Sequence, residues 1–532
     1  MKYFGVMIDM SRNAVMSVSG LKRFMDLLAR MGYNCILLYT EDTYEIEKEP
    51  YFGYMRGRYT TDELREIDAY GESLGIEIIP CIQTLAHLTA TVRWGQFPVD
   101  NSDTLLVGHE RCYELIDRMF EACSKAFKTK KIHIGMDEAR LLGRGRYIDE
   151  YGYDTVDNIM KKHMERILPI ANKYGYEPMI WSDMLFSKWT GDEYYVGKTQ
   201  VPQEYIDAMP EGITPVYWDY YHTEEKAYDD MIYNHKQFTD DIWFAGGVWS
   251  WAGFAPHNQF SLETMIPALD ACSKNGIENI FFTMWGDNGG ECSRFALLPS
   301  LFYLAEYYLR GNRDVEDIKA RFQAFSGIGF DDFMLLDMPN AVGGRLTTAG
   351  YPTNAPKYML LSDCFNGFLD WTVKEGGGAE FASIAASLRP LAEHREYGYL
   401  FDNLAKLCHA LEIKYELGVK TRAAYESGDL DALKALVDDY AEATSRIESF
   451  SLAFEKQWMA ENKPQGFDGQ ELRIGGVLRR LDSCRRKLIE YVEGRADRLP
   501  ELDEKLLPYG PKGESISFND GVKNMTVSVL HW

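Results

Sequence analysis

Short apolar segments alternate with longer amphipathic segments over roughly the first 310 residues of the chain. Most of the short segments are apolar throughout, which is typical of strands buried on both faces of a parallel sheet. Apolar residues in the longer segments recur at helical spacing, and several of these segments end at a glycine that stops a helix. The predicted strands are residues 4–10, 35–40, 76–83, 131–138, 177–184, 213–220, 243–251 and 277–287.

Eight such strand–helix units favour a (β/α)8 barrel over an open doubly wound sheet. The G-x-G-x-x-G pattern of dinucleotide-binding folds does not follow the first predicted strand, so that class gains no support. After roughly residue 315 the pattern changes to amphipathic helical segments at 381–388, 400–417, 431–455 and 472–493, and a weak strand pattern covers 525–532. We therefore predict an α/β fold, with a catalytic TIM barrel over 1–312 and an α-helical C-terminal domain over 313–532.

The chain carries 57 Lys and Arg against 81 Asp and Glu, so its formal net charge is −24 over 532 residues. Such acidity disfavours nucleic acids and anionic membrane surfaces as partners and suits a neutral small molecule. With 46% hydrophobic and 14% aromatic residues, the chain is too apolar to be disordered. The sequence shows neither a membrane span nor a signal peptide, which predicts a cytoplasmic protein. The nine scattered cysteines are expected to be buried reduced thiols.

Carboxylates and tryptophans gather at the predicted strand ends, where barrel enzymes place their catalytic groups. Indole faces stack on the apolar face of a pyranose, while carboxylates and arginine bind its hydroxyl groups. A single strand-end tryptophan is more often part of the core, but four of the eight ends carry one, which favours a sugar-binding pocket. The polar and aromatic residues concerned are Arg12, Glu41, Asp42, Asp137, Glu138, Trp181, Asp183, Trp218, Asp219, Trp249, Trp251, Trp285 and Asp287.

The adjacent pair Asp137 and Glu138 is the most specific of these features. Neighbouring residues on a strand point to opposite faces, so both can reach one pocket only where the strand ends and twists into its loop. Two close carboxylates can then divide roles, one staying ionised while the other holds a proton to donate. An isolated D-E pair is usually solvated, but this one follows an apolar strand and His133-x-Gly135. The pattern predicts acid–base chemistry at the fourth strand end.

A metal site is a weaker interpretation of the same region. His87, His133, Asp137 and Glu138 carry ligating groups, but H-x-H and H-E-x-x-H spacings are missing. We therefore predict neither a metal nor a cofactor. His87 is expected to support the acid through a hydrogen bond and to be linked to Asp42, with an ordinary hydrogen-bonded loop histidine as the alternative.

These motifs resemble those of glycoside hydrolase family 20, the β-N-acetylhexosaminidases. The family signature H-x-G-x-D-E matches His133, Gly135, Asp137 and Glu138. The chain is most similar to the shorter bacterial members with a helical C-terminal domain. Further matches follow strands 1, 5, 6 and 8 in the family's order, and they are Arg12, Trp181, Tyr217-x-Asp219 and Trp285-x-Asp287.

The resemblance implies an exo-acting retaining hydrolase that releases terminal β-linked N-acetylglucosamine, or N-acetylgalactosamine, by substrate-assisted catalysis. The substrate's own acetamido oxygen attacks the anomeric carbon and forms an oxazolinium intermediate. Glu138 then acts as acid and base, Asp137 orients the acetamido group, and Tyr217 donates a hydrogen bond to the acetamido oxygen. The implied substrate-binding residues are Arg12, His87, His133, Trp181, Trp218, Asp219, Trp249 or Trp251, Trp285, Asp287 and Glu291.

Two positions depart from the family's pattern. Asp287 stands where a glutamate is common, and Glu291 is a candidate to supply the missing reach to the O4 or O6 hydroxyl, with a solvated loop glutamate as the alternative. Met136 occupies a position that a small residue often fills.

Two other functions compete with this hypothesis. A barrel glycosidase with a carboxylate nucleophile would use Glu41 or Asp183, and a non-catalytic barrel would only bind sugar. The non-catalytic alternative is disfavoured because both signature carboxylates, Arg12 and Tyr217 are present. The apolar faces of the C-terminal helices are compatible with a homodimer.

Overall fold

The computed structural model describes residues 2–191, 193–344, 347–348, 351–509, 525–526 and 528. Eight parallel strands follow one another in chain order around a closed barrel, and the last strand pairs with the first. The predicted (β/α)8 barrel is confirmed. The strands are β1 (Tyr3–Asp9), β2 (Cys35–Tyr39), β3 (Glu77–Cys81), β4 (Lys131–His133), β5 (Glu177–Trp181), β6 (Thr214–Trp218), β7 (Trp243–Gly247) and β8 (Asn279–Met284).

Helices fill the connections between the strands. In the first helix the local sequence sets both limits, because the Ser17 side chain accepts the N–H of Gly20 and Gly32 ends the helix with a left-handed φ of 100°. The helices up to β8 are α1 (Val18–Met31), α2 (Thr61–Leu74), α3 (Thr89–Val92), α4 (Glu110–Ala126), α5 (Arg146–Tyr151), α6 (Val156–Tyr174), α7 (Asp183–Thr190), α8 (Gln203–Asp207), α9 (Glu225–His235) and α10 (Asn258–Lys274).

Helices also dominate the chain after β8, and the predicted helical C-terminal region is confirmed. The one short strand pair is β9 (Thr347–Thr348) with β10 (Tyr351–Pro352) among the residues described there, and most of 525–532 lies outside those residues. Among the described residues, no helix is long and apolar enough to cross a membrane. The helices are α11 (Leu298–Leu309), α12 (Val315–Ser326), α13 (Phe330–Met334), α14 (Ala355–Leu361), α15 (Gly377–Leu388), α16 (Gly398–Ser427), α17 (Leu430–Glu461), α18 (Phe467–Val492) and α19 (Pro500–Asp503).

The chain divides into two compact units. The first comprises Met1–Val248, Ser261–Met284 and Leu304–Asn312 and contains the whole strand barrel. The second comprises Trp249–Phe260, Trp285–Tyr303 and Arg313–Trp532. The segments that follow β7 and β8 thus belong to the second unit, whereas the sequence predicts one continuous barrel domain.

Contacts between strands that are not neighbours show which side chains point into the barrel. Sγ of Cys81 on β3 lies 4.0 Å from Sδ of Met7 on β1. The rings of Trp181 on β5 and Phe281 on β8 have centroids 6.1 Å apart. Since strands lie between the members of each pair, all four side chains are inside.

The register then separates the two faces of β6. Phe281 pairs with Ala245 of β7, and Ala245 pairs with Trp218 of β6. Paired residues of a parallel sheet share a face and successive residues alternate, so Trp218 points inward and Tyr217 points outward. The Tyr217 ring accordingly lies 4.8 Å from the ring of His235 on α9.

Candidate active site

The chain leaves β4 through a turn of unusual backbone conformation. The strand ends at His133, and Gly135, Met136 and Glu138 then adopt positive φ angles of 71°, 74° and 51°. Left-handed backbone is unfavourable for a residue with a side chain, so it persists only where surrounding contacts hold it. The turn breaks the strand's alternation, as the prediction of a shared pocket for Asp137 and Glu138 required.

His87, in the loop after β3, shows that the two carboxylates converge. Its Nε2 lies 3.2 Å from Oδ2 of Asp137 and 3.7 Å from Oε2 of Glu138. The imidazole therefore faces both carboxylates at once, and its support of the acid through a hydrogen bond stays a prediction.

Gln83 explains the glycine of the H-x-G-x-D-E signature. Its Oε1 accepts the N–H of Met136 at 3.1 Å, and its Nε2 donates to Oδ1 of Asp137 at 2.7 Å. A Cβ atom on Gly135 would lie only 2.0 Å from the same Oε1. Since Gln83 is fixed at both ends of its amide, only glycine leaves room for it above this left-handed position.

The charges of His87 and Asp137 stabilise each other. Burial is the largest single effect and lowers the pKa of His87, but the combined interactions with Asp137 and Glu41 outweigh it and raise that pKa to about 9. Burial alone raises the pKa of Asp137, but the charge of His87 and the Gln83 amide outweigh it and lower that pKa to about 2. Asp42 pairs with Arg56 at 2.9 Å, and its expected link to His87 stays a prediction.

Glu138 has a different environment from Asp137. Its side chain is 45% exposed against 13% for Asp137, and Nη2 of Arg140 lies 3.5 Å from its Oε1. The N–H of Glu138 donates to Oδ2 of Asp183 at 2.9 Å, and Nε1 of Trp218 donates to Oδ1 of Asp183 at 3.4 Å. Burial, followed by the charge of Asp137, raises the pKa of Asp183 to about 7.

Arg12, in the loop after β1, is held by two acidic side chains. Its Nη1 lies 3.1 Å from Oε1 of Glu41 and 3.5 Å from Oδ2 of Asp9. The Tyr39 hydroxyl donates to the same Glu41 oxygen at 2.9 Å, and the guanidinium lies over the Tyr39 ring at 5.1 Å. Burial raises the pKa of Glu41, an effect that the Arg12 charge opposes. Glu41 thus fixes the predicted sugar clamp.

His133 and Trp181 lie within the barrel core. Nδ1 of His133 accepts the N–H of Gly135 at 3.1 Å, and the His133 ring lies 4.4 Å from Trp181, which is 2% exposed. Burial lowers the pKa of His133 to about 3, so its imidazole is neutral. Both residues support the β4 turn, and this placement lends no support to the predicted contact of His133 with substrate.

Tyr217 and Asp219 form a hydrogen-bonded group on the outer side of β6. The Tyr217 hydroxyl donates to Oδ2 of Asp219 at 2.8 Å, and Nδ1 of His222 lies 2.8 Å from the same oxygen. Asp219 is fully buried. The predicted roles of Tyr217 at the acetamido oxygen and of Asp219 at the sugar are therefore unsupported, because the register turns Tyr217 toward the helices.

In the second unit, Trp249 and Trp251 stack on each other. Their ring centroids lie 4.3 Å apart with an interplanar angle of 27°, and both side chains are buried. Trp285 and Asp287 are half-buried, and the Trp285 carbonyl accepts the Ser250 hydroxyl at 2.7 Å. Which of the two stacked indoles, Trp249 or Trp251, forms a wall of the pocket stays a prediction with both alternatives open.

Glu291 belongs to a buried ionic cluster in the same unit. Nζ of Lys357 on α14 lies 2.8 Å from its Oε1, and Nη1 of Arg473 on α18 lies 3.0 Å from that oxygen. Side-chain exposure is 2% for Glu291 and 0% for Lys357, and burial lowers the pKa of Lys357 against the opposing charge of Glu291. Glu291 is therefore not the solvated loop glutamate that was one alternative. Its carboxylate is bound by Lys357 and Arg473, so the other alternative, contact with the O4 or O6 hydroxyl in support of Asp287, gains no support.

Helix α18 also holds the segment around Asp287. Arg473 donates from Nη2 to Oδ1 of Asn288 at 2.6 Å, and Gln470 donates to the carbonyl of Gly289 at 3.0 Å. Asn288 and Gly289 have positive φ angles of 57° and 135°. Side chains far along the chain therefore fix the turn that carries Asp287.

Three site residues acquire their roles only in the structure. Gln83 and Asp183 hold the β4 turn, and Glu41 holds Arg12, whereas the sequence suggests Glu41 and Asp183 only as nucleophiles. In the sequence, only their positions near predicted strand ends indicated that these three residues could belong to the site. Within the described ranges, no group of three or more His, Cys, Asp and Glu side chains could hold a metal ion.

Two family models match the chain and together cover more than three quarters of it. The model described as "Glycosyl hydrolase family 20, catalytic domain" matches residues 1–226, and "Glycoside Hydrolase 20C C-terminal domain" matches residues 331–518. The chain belongs to glycoside hydrolase family 20. The family inferred from the H-x-G-x-D-E signature is thereby confirmed.

The similar proteins include two forms of Hexosaminidase D. The Homo sapiens protein is 24% identical over 60% of this chain and 68% of its own length, and the Bos taurus protein is 22% identical over 60% and 95%. A solved family 20 exo-β-N-acetylglucosaminidase from Vibrio harveyi is 17% identical with a TM-score of 0.48, over 63% of this chain and 58% of that one. This family 20 chain thus spans less than two thirds of that enzyme.

Proposed function

We propose that this family 20 chain is an exo-acting, retaining β-N-acetylhexosaminidase. It releases terminal non-reducing N-acetylglucosamine, or N-acetylgalactosamine, from a β-linkage with the help of the substrate's own acetamido group. The family and the hexosaminidases among its relatives support this substrate class. A cytoplasmic location and a homodimer stay predictions from the sequence.

The unequal environment of Asp137 and Glu138 is the observation that carries the proposal. Asp137 is largely buried and held as an anion by His87, while Glu138 presents a carboxyl group that is 45% exposed on the same turn. A fixed anion suits the stabilisation of positive charge, and an accessible carboxyl suits proton transfer to and from a departing group. The two residues are thus prepared for different roles.

The reaction proceeds in two balanced steps. In the first, the acetamido oxygen bonds to the anomeric carbon as the glycosidic bond breaks, and the Glu138 proton passes to the leaving oxygen. Asp137 stabilises the positive charge that develops on the acetamido nitrogen. In the second, Glu138 takes a proton from water, whose oxygen bonds to the anomeric carbon while the oxazolinium ring opens. An internal nucleophile of this kind gains a high effective molarity from orientation alone.

Other side chains are assigned to sugar binding. Arg12, fixed by Glu41 and Asp9, offers a directed guanidinium for hydroxyl oxygens, and Trp218 offers an indole wall on the inner face of β6. Trp285 and Asp287 are assigned to stacking and to hydroxyl binding. The alternative carboxylate nucleophiles are already engaged, since Glu41 binds Arg12 and Tyr39, and Asp183 binds the Glu138 amide.

The test compares nitrophenyl β-N-acetylglucosaminide with nitrophenyl β-glucoside, which lacks the acetamido nucleophile. We expect nitrophenol release from the first only, and inhibition by a thiazoline mimic of the oxazolinium intermediate. Glu138→Gln serves as the matched variant, because it keeps the side chain's shape, and should lose at least about 10²-fold in rate. Hydrolysis of the glucoside, without thiazoline inhibition, would instead establish a carboxylate nucleophile. A wild type inactive on both sugars contradicts the proposal.

A further inference from the structure

Asp183 connects two parts of the site that the proposed mechanism uses. It is the first residue of α7, two positions after Trp181, and it is 7% exposed. Its Oδ2 accepts the N–H of Glu138 at 2.9 Å, and its Oδ1 accepts Nε1 of Trp218 at 3.4 Å. One carboxylate thus joins the end of β4 to the end of β6.

The hydrogen bond on the β4 side holds the peptide between the two signature carboxylates. The N–H that Asp183 accepts belongs to the peptide that links Asp137 to Glu138, and Glu138 has the left-handed φ of 51°. A backbone conformation of this kind needs an external contact to persist. Fixing this peptide fixes the direction in which the Glu138 side chain leaves the backbone.

The hydrogen bond on the β6 side orients an aromatic wall. Trp218 is the inward-facing residue at the end of β6, and its ring packs on Tyr194 and Tyr220 at 4.8 and 5.4 Å between centroids. Its one donor, Nε1, points to Asp183. The indole plane and the Glu138 peptide are therefore set by the same side chain.

We propose that Asp183 is a positioning residue that aims the Glu138 carboxyl group and aligns the Trp218 indole with it. The proposal rests on the proposed function, because it takes Glu138 as the proton donor to the leaving group. Asp183 itself makes no bond to the substrate. Its role replaces the nucleophile role that the sequence had left open.

This role has a kinetic signature that general destabilisation does not produce. A displaced Glu138 transfers its proton less well, and a misplacement of about 1 Å can cost about 10²-fold in rate. The loss falls on leaving groups that need the proton, whereas a dinitrophenolate leaves without it. A variant that merely lowers the folded fraction slows both substrates equally.

The experiment measures kcat and KM for dinitrophenyl β-N-acetylglucosaminide and for the β-linked N-acetylglucosamine disaccharide. Asp183→Ala and Asp183→Ser remove the acceptor, and either one that folds is sufficient. Asp183→Asn keeps one carbonyl acceptor, for the Glu138 N–H, and loses the second acceptor, which binds Nε1 of Trp218. The control is Asp100→Ala, because Asp100 is also buried and accepts backbone N–H groups of Gly143, Gly145 and Tyr147 in the same loop without contacting Glu138.

In the deletion variants we expect kcat/KM, which reports the first step, to fall at least about tenfold more on the disaccharide than on the dinitrophenyl substrate. The second step, in which Glu138 activates water, is common to both substrates. Asp183→Asn should recover part of the disaccharide activity, because it restores one of the two hydrogen bonds, and Asp100→Ala should affect both substrates alike. Equal losses on both substrates, or an Asn variant as impaired as the Ala variant, would overturn the positioning role while leaving the proposed function intact. A wild type that hydrolyses neither substrate is the separate result that removes the proposed function itself.

Discussion

The β4 turn and the segment after β8 both contain left-handed backbone, but different parts of the chain hold that backbone in place. Both pass through left-handed residues, Glu138 in the first and Asn288 in the second, and both carry acidic residues at a strand end. The β4 turn is held by Gln83, His87 and Asp183, which follow neighbouring strands of the barrel. The segment after β8 is held by helical side chains from far along the chain, namely Lys357, Gln470 and Arg473.

The two segments differ in which part of the chain supports them, and the proposal gives them different roles: proton transfer for the β4 turn and sugar binding for the segment after β8. The described contacts that hold the β4 turn, those of Gln83, His87 and Asp183, lie within the first unit. Asp287 instead belongs to the second unit, as do Glu291 and the two cations of its buried ionic cluster. The helical region, whose role the sequence leaves open, thus supports the segment that carries Asp287, for which sugar binding is proposed.

The largest effect should come from replacing the fixed anion. Asp137→Asn should lower kcat by about 10³-fold, since it removes the charge that stabilises the oxazolinium-forming transition state. Asp287→Asn, the matched change on the other segment, should mainly raise KM, by about tenfold to 10²-fold, because it weakens a hydroxyl contact. Steady-state kinetics on nitrophenyl β-N-acetylglucosaminide would measure both. A larger kcat loss in Asp287→Asn than in Asp137→Asn would reverse the comparison.

The next largest effect is a loss of stability, and it should come from the ionic cluster of Glu291 in the segment after β8. Lys357→Met leaves Glu291 with Arg473 as its remaining cation among the contacts described, and the loss of one partner of a buried pair should cost about 3 kcal/mol in the free energy of unfolding. Urea denaturation would show this as a lower midpoint at unchanged slope. Lys406→Met is the control, because its pair with Asp402 is partly exposed, at 38% and 29% of the two side chains, and should cost under about 1 kcal/mol. Equal costs for the two lysines would contradict the buried cluster.

A smaller, pH-dependent effect belongs to the β4 turn. The pKa of His87 is raised from 6.5 to about 9, so its stabilising contribution is complete below pH 6.5 and is lost as the pH rises through 9. The pKa of Asp137 is lowered from 3.8, so its contribution is complete above pH 3.8 and is lost toward pH 2. His87→Gln should therefore cost most, about 2 kcal/mol, between about pH 4 and 6.5.

Unfolding free energies of wild type and His87→Gln, measured from pH 4 to 10, would test this window. The gap between the two proteins should narrow as the pH passes 9. A gap that is constant over the whole range would show that His87 acts through packing alone, without its charge.

The barrel could be predicted because its strands are buried on both faces and therefore leave continuous apolar segments. The signature carboxylates could be predicted because the chemistry demands that residue pair at a strand end. The buried ion pairs of Glu291 could not be predicted, because its partners Lys357 and Arg473 lie on helices whose packing no local sequence pattern specifies. The face of Tyr217 could not be predicted either, because a one-residue slip in a strand's register turns every side chain to the other side.

Tyr217 therefore offers the smallest expected effect and a direct test of the β6 register. Tyr217→Phe removes a hydroxyl that donates to Asp219 outside the barrel, and Asp219 keeps its contact with His222. The cost should be about 1 kcal/mol in stability, with turnover within about threefold of wild type, because the hydroxyl does not face the substrate. Thermal denaturation and nitrophenol release would measure the two quantities. A roughly hundredfold slower turnover at unchanged stability would place the hydroxyl on the acetamido group, and it would show that the inward side of β6 is occupied by Tyr217 in the working enzyme.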